Sequence, residues 1–146
     1  MPQPLTLRLT VQDPVPGVLL RVQRRRDALV PPVSESPDAV TFELVIEVDV
    51  RTDGRVLCRG PEVQGPPAGR FVYINAGTYA GQHGTAIGRR AKVPLSELPG
   101  AVVEAALAGP GTVVAGTIHG RARDGGPAAA TVPLLGAGWQ VVPRDV

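Results

Sequence analysis

Phe-Glu-Leu-Val-Ile-Glu-Val-Asp-Val, residues 42–50, is the stretch that decides the fold. Its even-numbered positions are all apolar, whereas three of the four positions between them are carboxylates. Because side chains alternate between the two faces of a strand, this pattern predicts a strand with one buried face and one polar face. Asp53-Gly54 follows and is typical of a tight hairpin, so we expect the chain to return as a strand over residues 55–59.

The same alternation occurs on both sides of this hairpin. It predicts further strands over residues 5–11, 18–23, 70–75, 87–95, 113–119 and 131–135, with a short closing strand over 139–142. Pro133 would place its strand at a sheet edge, because proline has no N–H to donate. Residues 30–40, which contain Pro31-Pro32 and Pro37, are predicted to form a loop.

One stretch, residues 97–108, has the apolar spacing of a short helix. Ser96 is the expected N-cap, Pro99 suits the first turn, and Gly109-Pro110 ends the helix. The predicted fold class is therefore all-β, or β-dominated α+β. It would be a single domain over residues 1–146 with about eight strands in a small barrel or sandwich, and alternation alone leaves these two architectures open.

The composition disfavours several classes of partner. A net charge of +2 and 3% aromatic residues argue against a nucleic-acid-binding surface. No apolar run approaches the ~20 residues that span a bilayer, so no membrane partner is expected. Cys58 is the single cysteine and residues 1–10 alternate instead of forming an apolar signal segment. These features predict a cytoplasmic location.

The sequence offers no recognisable catalytic or cofactor motif. His83, His119 and Cys58 do not have the spacing of a zinc site, and no serine lies in a nucleophile elbow. The glycine-rich residues 77–88 match neither a P-loop nor a dinucleotide-binding pattern. No metal, cofactor or catalytic residue is predicted. His119 is expected to make a structural contact across strands, and His83 is either a solvated loop residue or a general acid or base.

One segment, residues 59–92, concentrates polar and cationic side chains. We consider six of them as ligand-binding candidates: Arg59, Arg70, Tyr73, Thr78, Arg90 and Lys92. Asn75 and His83 belong to the same segment. Neighbouring cations repel each other, and an anion would relieve that repulsion. The anion is either a carboxylate of the protein, such as Glu62 or Glu47, or a ligand carboxylate or phosphate.

A series of short motifs in this segment is similar to a known family. The motifs are Arg59-Gly60-Pro61, Gly65, Gly69-Arg70-Phe71, Tyr73, Gly77-Thr78 and Arg89-Arg90-Ala91-Lys92. In this order they resemble the bacterial family known as domain of unknown function 5990, over about residues 17–139. The chain has Ala76 and Gly88 where the family carries tryptophan and another aromatic residue. The resemblance implies a larger or less apolar pocket here, and it implies no particular activity.

Three functions follow from these observations. The first is a binding protein for an anionic small molecule. The second is a metal-independent cyclase, isomerase or lyase, in which arginine and lysine stabilise an enolate or carboxylate while Tyr73 or His83 moves a proton. The third is a homo-oligomeric interaction protein that associates through sheet faces or edges. The binding protein is the preferred hypothesis, and the other two are alternatives.

Overall fold

The computed structural model describes residues 2–14, 18–24, 29–66, 69–78, 87–120, 129–131, 134–136 and 138–144. Within them the chain forms eleven strands and one helix. In chain order these are Gln3–Gln12 (β1), Val18–Gln23 (β2), Leu29–Val30 (β3), Ser34–Glu35 (β4), Ala39–Val50 (β5), Val56–Arg59 (β6), Phe71–Thr78 (β7), Ile87–Pro94 (β8), Gly100–Ala108 (α1), Thr112–His119 (β9), Ala129–Thr131 (β10) and Gln140–Pro143 (β11).

The first sheet has the strand order β11-β9-β1-β5-β4, and β6 also pairs with β5. β1 and β5 are antiparallel along their whole lengths, with Leu7 opposite Leu44. On its other side β1 runs parallel to β9, where Leu7 is opposite Val114. β1 therefore lies inside the sheet, between strands that are distant in sequence.

The second sheet has the order β10-β8-β7-β2-β3. β7 is its central strand and pairs antiparallel with both β2 and β8. The register places Tyr73 opposite Lys92 and Asn75 opposite Arg90. β10 lies at an edge, as predicted for the strand near residue 131, while Pro133 lies outside the described residues.

Apolar side chains of the two sheets meet in one core. Leu7, Phe42 and Ile46 of the first sheet and Val22 and Val72 of the second are all buried in the same cluster. No strand pair joins the two sheets within the described ranges, so the arrangement is that of two packed layers. The predicted all-β fold class is confirmed.

The predicted loop over residues 30–40 is wrong in part. Leu29–Val30 pairs with the end of β2, and Ser34–Glu35 pairs with Thr41 and Val40 of β5. Proline prevents long strands here but leaves the residues before Pro31 and those between Pro32 and Pro37 free to make short pairings. These two short strands account for the larger strand count.

The helix is where it was predicted, but Ser96 is not its N-cap. Leu98 N donates to Leu95 O and forms a separate turn, and Val103 N donates to Pro99 O, so Pro99 occupies the cap position. Pro99 makes no side-chain cap hydrogen bond. α1 has nine residues and buries Val103. No helix in the described part of the chain is long and apolar enough to cross a membrane.

Candidate functional site

Alternation along β7 separates core residues from a second, mainly polar face. Val72 and Ile74 are buried in the core, so Phe71, Tyr73 and Asn75 lie on the opposite face of the strand. Directly opposed residues of antiparallel strands share a face, which adds further side chains from the neighbouring strands. We call this surface the Lys92 face; its residues with described side chains are Arg21, Gln23, Gln64, Phe71, Tyr73, Asn75 and Lys92.

Lys92 is held at one end of this face by an aromatic pair. Its Nζ lies 4.6 Å from the centroid of the Phe71 ring, a distance typical of a cation–π contact. Phe71 and Tyr73 meet edge to face, with centroids 4.7 Å apart. Gly65 lies directly against the Phe71 ring, because a Cβ on Gly65 would be 2.6 Å from Cε2 of Phe71. Lys92 is thus a half-buried residue whose ammonium group lies over a ring with close neighbours on two sides.

Two side-chain amides on the same face have an unused polar atom. Asn75 is 3% exposed; its Nδ2 donates to Gln23 Oε1 at 3.2 Å, while its buried Oδ1 accepts no hydrogen bond. Gln64 pairs with Phe71 through the backbone, and its buried Nε2 donates no hydrogen bond. These statements concern partners among the described residues. A buried polar group without a partner costs about 1–3 kcal/mol, so both atoms favour an external partner.

The structure brings together only part of the predicted cluster. Tyr73 and Lys92 are adjacent, and the backbone of Arg90 lies opposite Asn75. Thr78 ends β7 opposite Val18. The side chains of Arg90 and Thr78, and the whole of His83, lie outside the described part of the structure.

Arg59 and Arg70 have other surroundings. Arg59 is exposed on β6 opposite Glu47, in the first sheet. It lines a pocket of about 180 Å³ that also includes Asp49 and Arg51 but neither Tyr73 nor Lys92. Arg70 donates from Nη1 to the carbonyl of Gly65 and lies close enough to Cys58 of the first sheet to affect its pKa.

The carboxylates considered as internal partners do not form ion pairs with Lys92. Glu62 is 3% exposed, and its Oε2 accepts a hydrogen bond from Arg24 Nε at 2.7 Å. Glu47 is exposed and lies in the first sheet. No carboxylate of the described residues lies within ion-pair distance of Lys92. Arg24, directly after β2, has instead the buried carboxylate partner that the lysine lacks.

The sequence analysis missed Phe71, Gln23 and Gln64. Phe71 was present in the motif series but not among the candidates, although period-two alternation from Tyr73 places it on the same face. Gln23 and Gln64 reach this face through strand pairing, which a single sequence does not reveal.

His119 lies 3.7 Å from Asp13, which supports the predicted structural contact. No group of three His, Cys, Asp or Glu side chains within the described ranges could hold a metal ion.

Cys58 provides a prediction about pH. Burial raises the pKa of its thiol from 9.0 to about 11, and the nearby Arg70 charge lowers it by less. The folded protein therefore keeps the thiol proton that the unfolded chain releases near pH 9. Because deprotonation favours the unfolded chain, the free energy of unfolding falls as pH rises from 9 towards 11. We expect the free energy of unfolding to fall by about 2 kcal/mol more in the wild type than in Cys58→Ala over that range, measured by urea denaturation. If the free energy of unfolding fell equally with pH in the wild type and in Cys58→Ala, this prediction would be contradicted.

Comparison with known proteins gives a family and no activity. No curated protein and no solved structure matches the chain. The model of a family of unknown function, DUF5990, matches residues 5–142, which include both sheets and the Lys92 face. This match extends over most of the chain and agrees with the resemblance in residues 59–92. The chain therefore belongs to the family of unknown function DUF5990.

Proposed function

We propose that this protein binds a small anionic molecule on the Lys92 face, with Lys92 as the anchor of the negative charge. The observation that carries the proposal is Lys92 itself, a half-buried residue whose Nζ lies 4.6 Å from the Phe71 centroid and has no ion-pair partner among the described residues. A partly desolvated charge is costly without a counter-charge, and a bound anion would supply it.

Neighbouring groups support an anion in particular. The buried Nε2 of Gln64 is a donor, and Gln64 is paired with Phe71, the residue whose ring the ammonium group contacts. Gln64 and Lys92 would thus present two donors to one carboxylate or phosphate. The other described cation of the face, Arg21, already has Glu35 at 3.8 Å and donates to the carbonyl of Leu20. Lys92 is therefore the better anchor.

We also propose a bacterial, cytoplasmic protein. The single cysteine supports this location, since one cysteine cannot form an intrachain disulfide.

Replacing Lys92 tests the proposal. We expect Lys92→Met to weaken binding of inorganic phosphate and of succinate at least tenfold, because a charged hydrogen bond contributes about 1.5–3 kcal/mol. Methionine keeps an unbranched chain over Phe71 and removes only the charge. Binding is measured by titration of backbone amide NMR signals, after native mass spectrometry has identified any anion that co-purifies and the number of subunits.

Arg55→Met is the matched control, since it removes an exposed cation in the hairpin of the first sheet. It should leave both affinities unchanged. If the two variants weaken binding equally, the effect is one of net charge and the Lys92 site is refuted. If neither anion shifts signals of β7 or β8 in the wild type, the proposed function is wrong.

A further inference from the structure

We infer that the anion is elongated and carries a hydroxyl group, which donates a hydrogen bond to Asn75 Oδ1. The inference rests on the proposed function and specifies the class of ligand. It is based on the unpartnered oxygen of Asn75, which a bound anion alone does not explain. Asn75 Oδ1 is an acceptor, and no negatively charged oxygen can satisfy it.

The burial of Asn75 makes this acceptor informative. The residue is 3% exposed, and its Nδ2 is already engaged with Gln23 Oε1 at 3.2 Å. Buried polar groups in folded proteins almost always have a partner. Oδ1 has none among the described residues, so Asn75, a residue of the same face as Lys92, keeps an unused acceptor while its amide nitrogen is bonded to Gln23.

The register sets the distance between the two ends of the ligand. Lys92 Nζ lies over Phe71, and Asn75 is four residues further along β7. Four residues of an antiparallel strand span about 13 Å, and Tyr73 lies halfway between. Subtracting about 3 Å for a hydrogen bond at each end leaves roughly 7 Å between the charged group and the donor. An extended six-carbon hydroxy acid has roughly this length.

Charge favours a hydroxyl over an ammonium group as the donor. The described side chains of the Lys92 face include two cations, Arg21 and Lys92, and only one carboxylate, Glu35, approaches it. Arg21 is directly opposite Asn75 in the β2–β7 register, so a cationic donor at Oδ1 would meet like charge. A hydroxyl donates equally well without that repulsion.

The test compares acids that differ in one hydroxyl group. We expect 6-hydroxyhexanoate to bind the wild type about tenfold more tightly than hexanoate, because a site with a buried acceptor discriminates against a ligand that leaves it unpaired. 4-Hydroxybutanoate, which is too short to reach both ends, should gain less over butanoate. Affinities come from the NMR titration that reports on β7 and β8, and this comparison needs no variant.

Asn75→Leu then assigns the preference to one side chain. It should reduce the affinity for 6-hydroxyhexanoate to that for hexanoate and leave hexanoate within about twofold of the wild type. Thr10→Val, a polar-to-apolar change in the first sheet, should leave the preference intact. A role of Asn75 in holding the sheet alone would weaken both acids equally, and that result overturns the inference.

The remaining outcomes separate this inference from the proposed function. Equal affinities of the two six-carbon acids, together with loss of both in Lys92→Met, overturn the hydroxyl inference and leave the anion site standing. Absence of binding by every acid and by phosphate overturns both.

Discussion

Phe42→Ala is expected to destabilise the protein by about 3–5 kcal/mol, the usual cost of truncating a fully buried phenylalanine. Among the residues that the structure describes, Phe42 is the largest side chain that is completely buried, and it lies opposite Leu9 in the first sheet. Aromatic residues make up 3% of the chain, so the core consists mostly of Val, Leu and Ile side chains, which would not close a cavity of this size. Urea denaturation followed by circular dichroism measures the loss.

Val45→Ala is the matched control, since Val45 lies in the same strand with its side chain 62% exposed. It should change the free energy of unfolding by less than about 0.5 kcal/mol. The difference between the two changes in the free energy of unfolding gives the contribution of burial, because both substitutions lie in the same strand. If Phe42→Ala cost no more than Val45→Ala, the assignment of the even-numbered positions of β5 to the core would be wrong.

Gly65→Ala is expected to cost about 2–5 kcal/mol, from two sources that add. Gly65 has a φ of +93°, where a side chain is strained by about 1–2 kcal/mol. A Cβ would also lie 2.6 Å from Cε2 of Phe71 and 2.7 Å from the carbonyl oxygen of Gly69. One of these atoms belongs to the backbone, so the contact cannot be relieved by a rotamer change alone, and overpacking adds about 1–3 kcal/mol.

Gly54→Ala separates the two sources. Gly54 has a similar φ of +85°, but a Cβ there would have no atom within 4 Å. It should therefore show only the strain, about 1–2 kcal/mol. Because Gly65 supports the ring under Lys92, Gly65→Ala should also shift the NMR signals of Lys92, and Gly54→Ala should not. Equal stability losses in the two variants would exclude a steric role for the Phe71 contact.

The strands were predictable because buried and less buried residues alternate along core strands such as β1 and β5. Residues 42–50 lie inside β5, residues 18–23 coincide with β2, and the helix lies within residues 97–108. What alternation could not supply is pairing. Leu29–Val30 becomes a strand only because the end of β2 lies beside it, and Ser96 is not a cap because a separate turn precedes Pro99.

The candidate site was predictable only where its residues lie in one hairpin-like pair of strands. Tyr73 and Lys92 come together because β7 and β8 are neighbours in sequence and in the sheet. Arg59 is close to Arg70 in sequence, yet β6 pairs with β5 and therefore belongs to the other sheet. The unused amide atoms of Asn75 and Gln64 could not be inferred at all, since they depend on which side chains fold around them.

The position of β1 has a consequence for the order of events during synthesis. β1 is made first, but one of its two neighbours in the sheet is β9, and Leu7 meets Val114 only after the intervening chain has left the ribosome. Until then β1 can pair with β5, which also pairs with β4 and β6, while the other edge of β1 lacks β9. Such long-range parallel pairing is slow, because the long chain between β1 and β9 must close into a loop before their pairing stabilises the sheet. The chain is thus exposed to intermolecular strand pairing for most of its synthesis, and β9 ends that exposure.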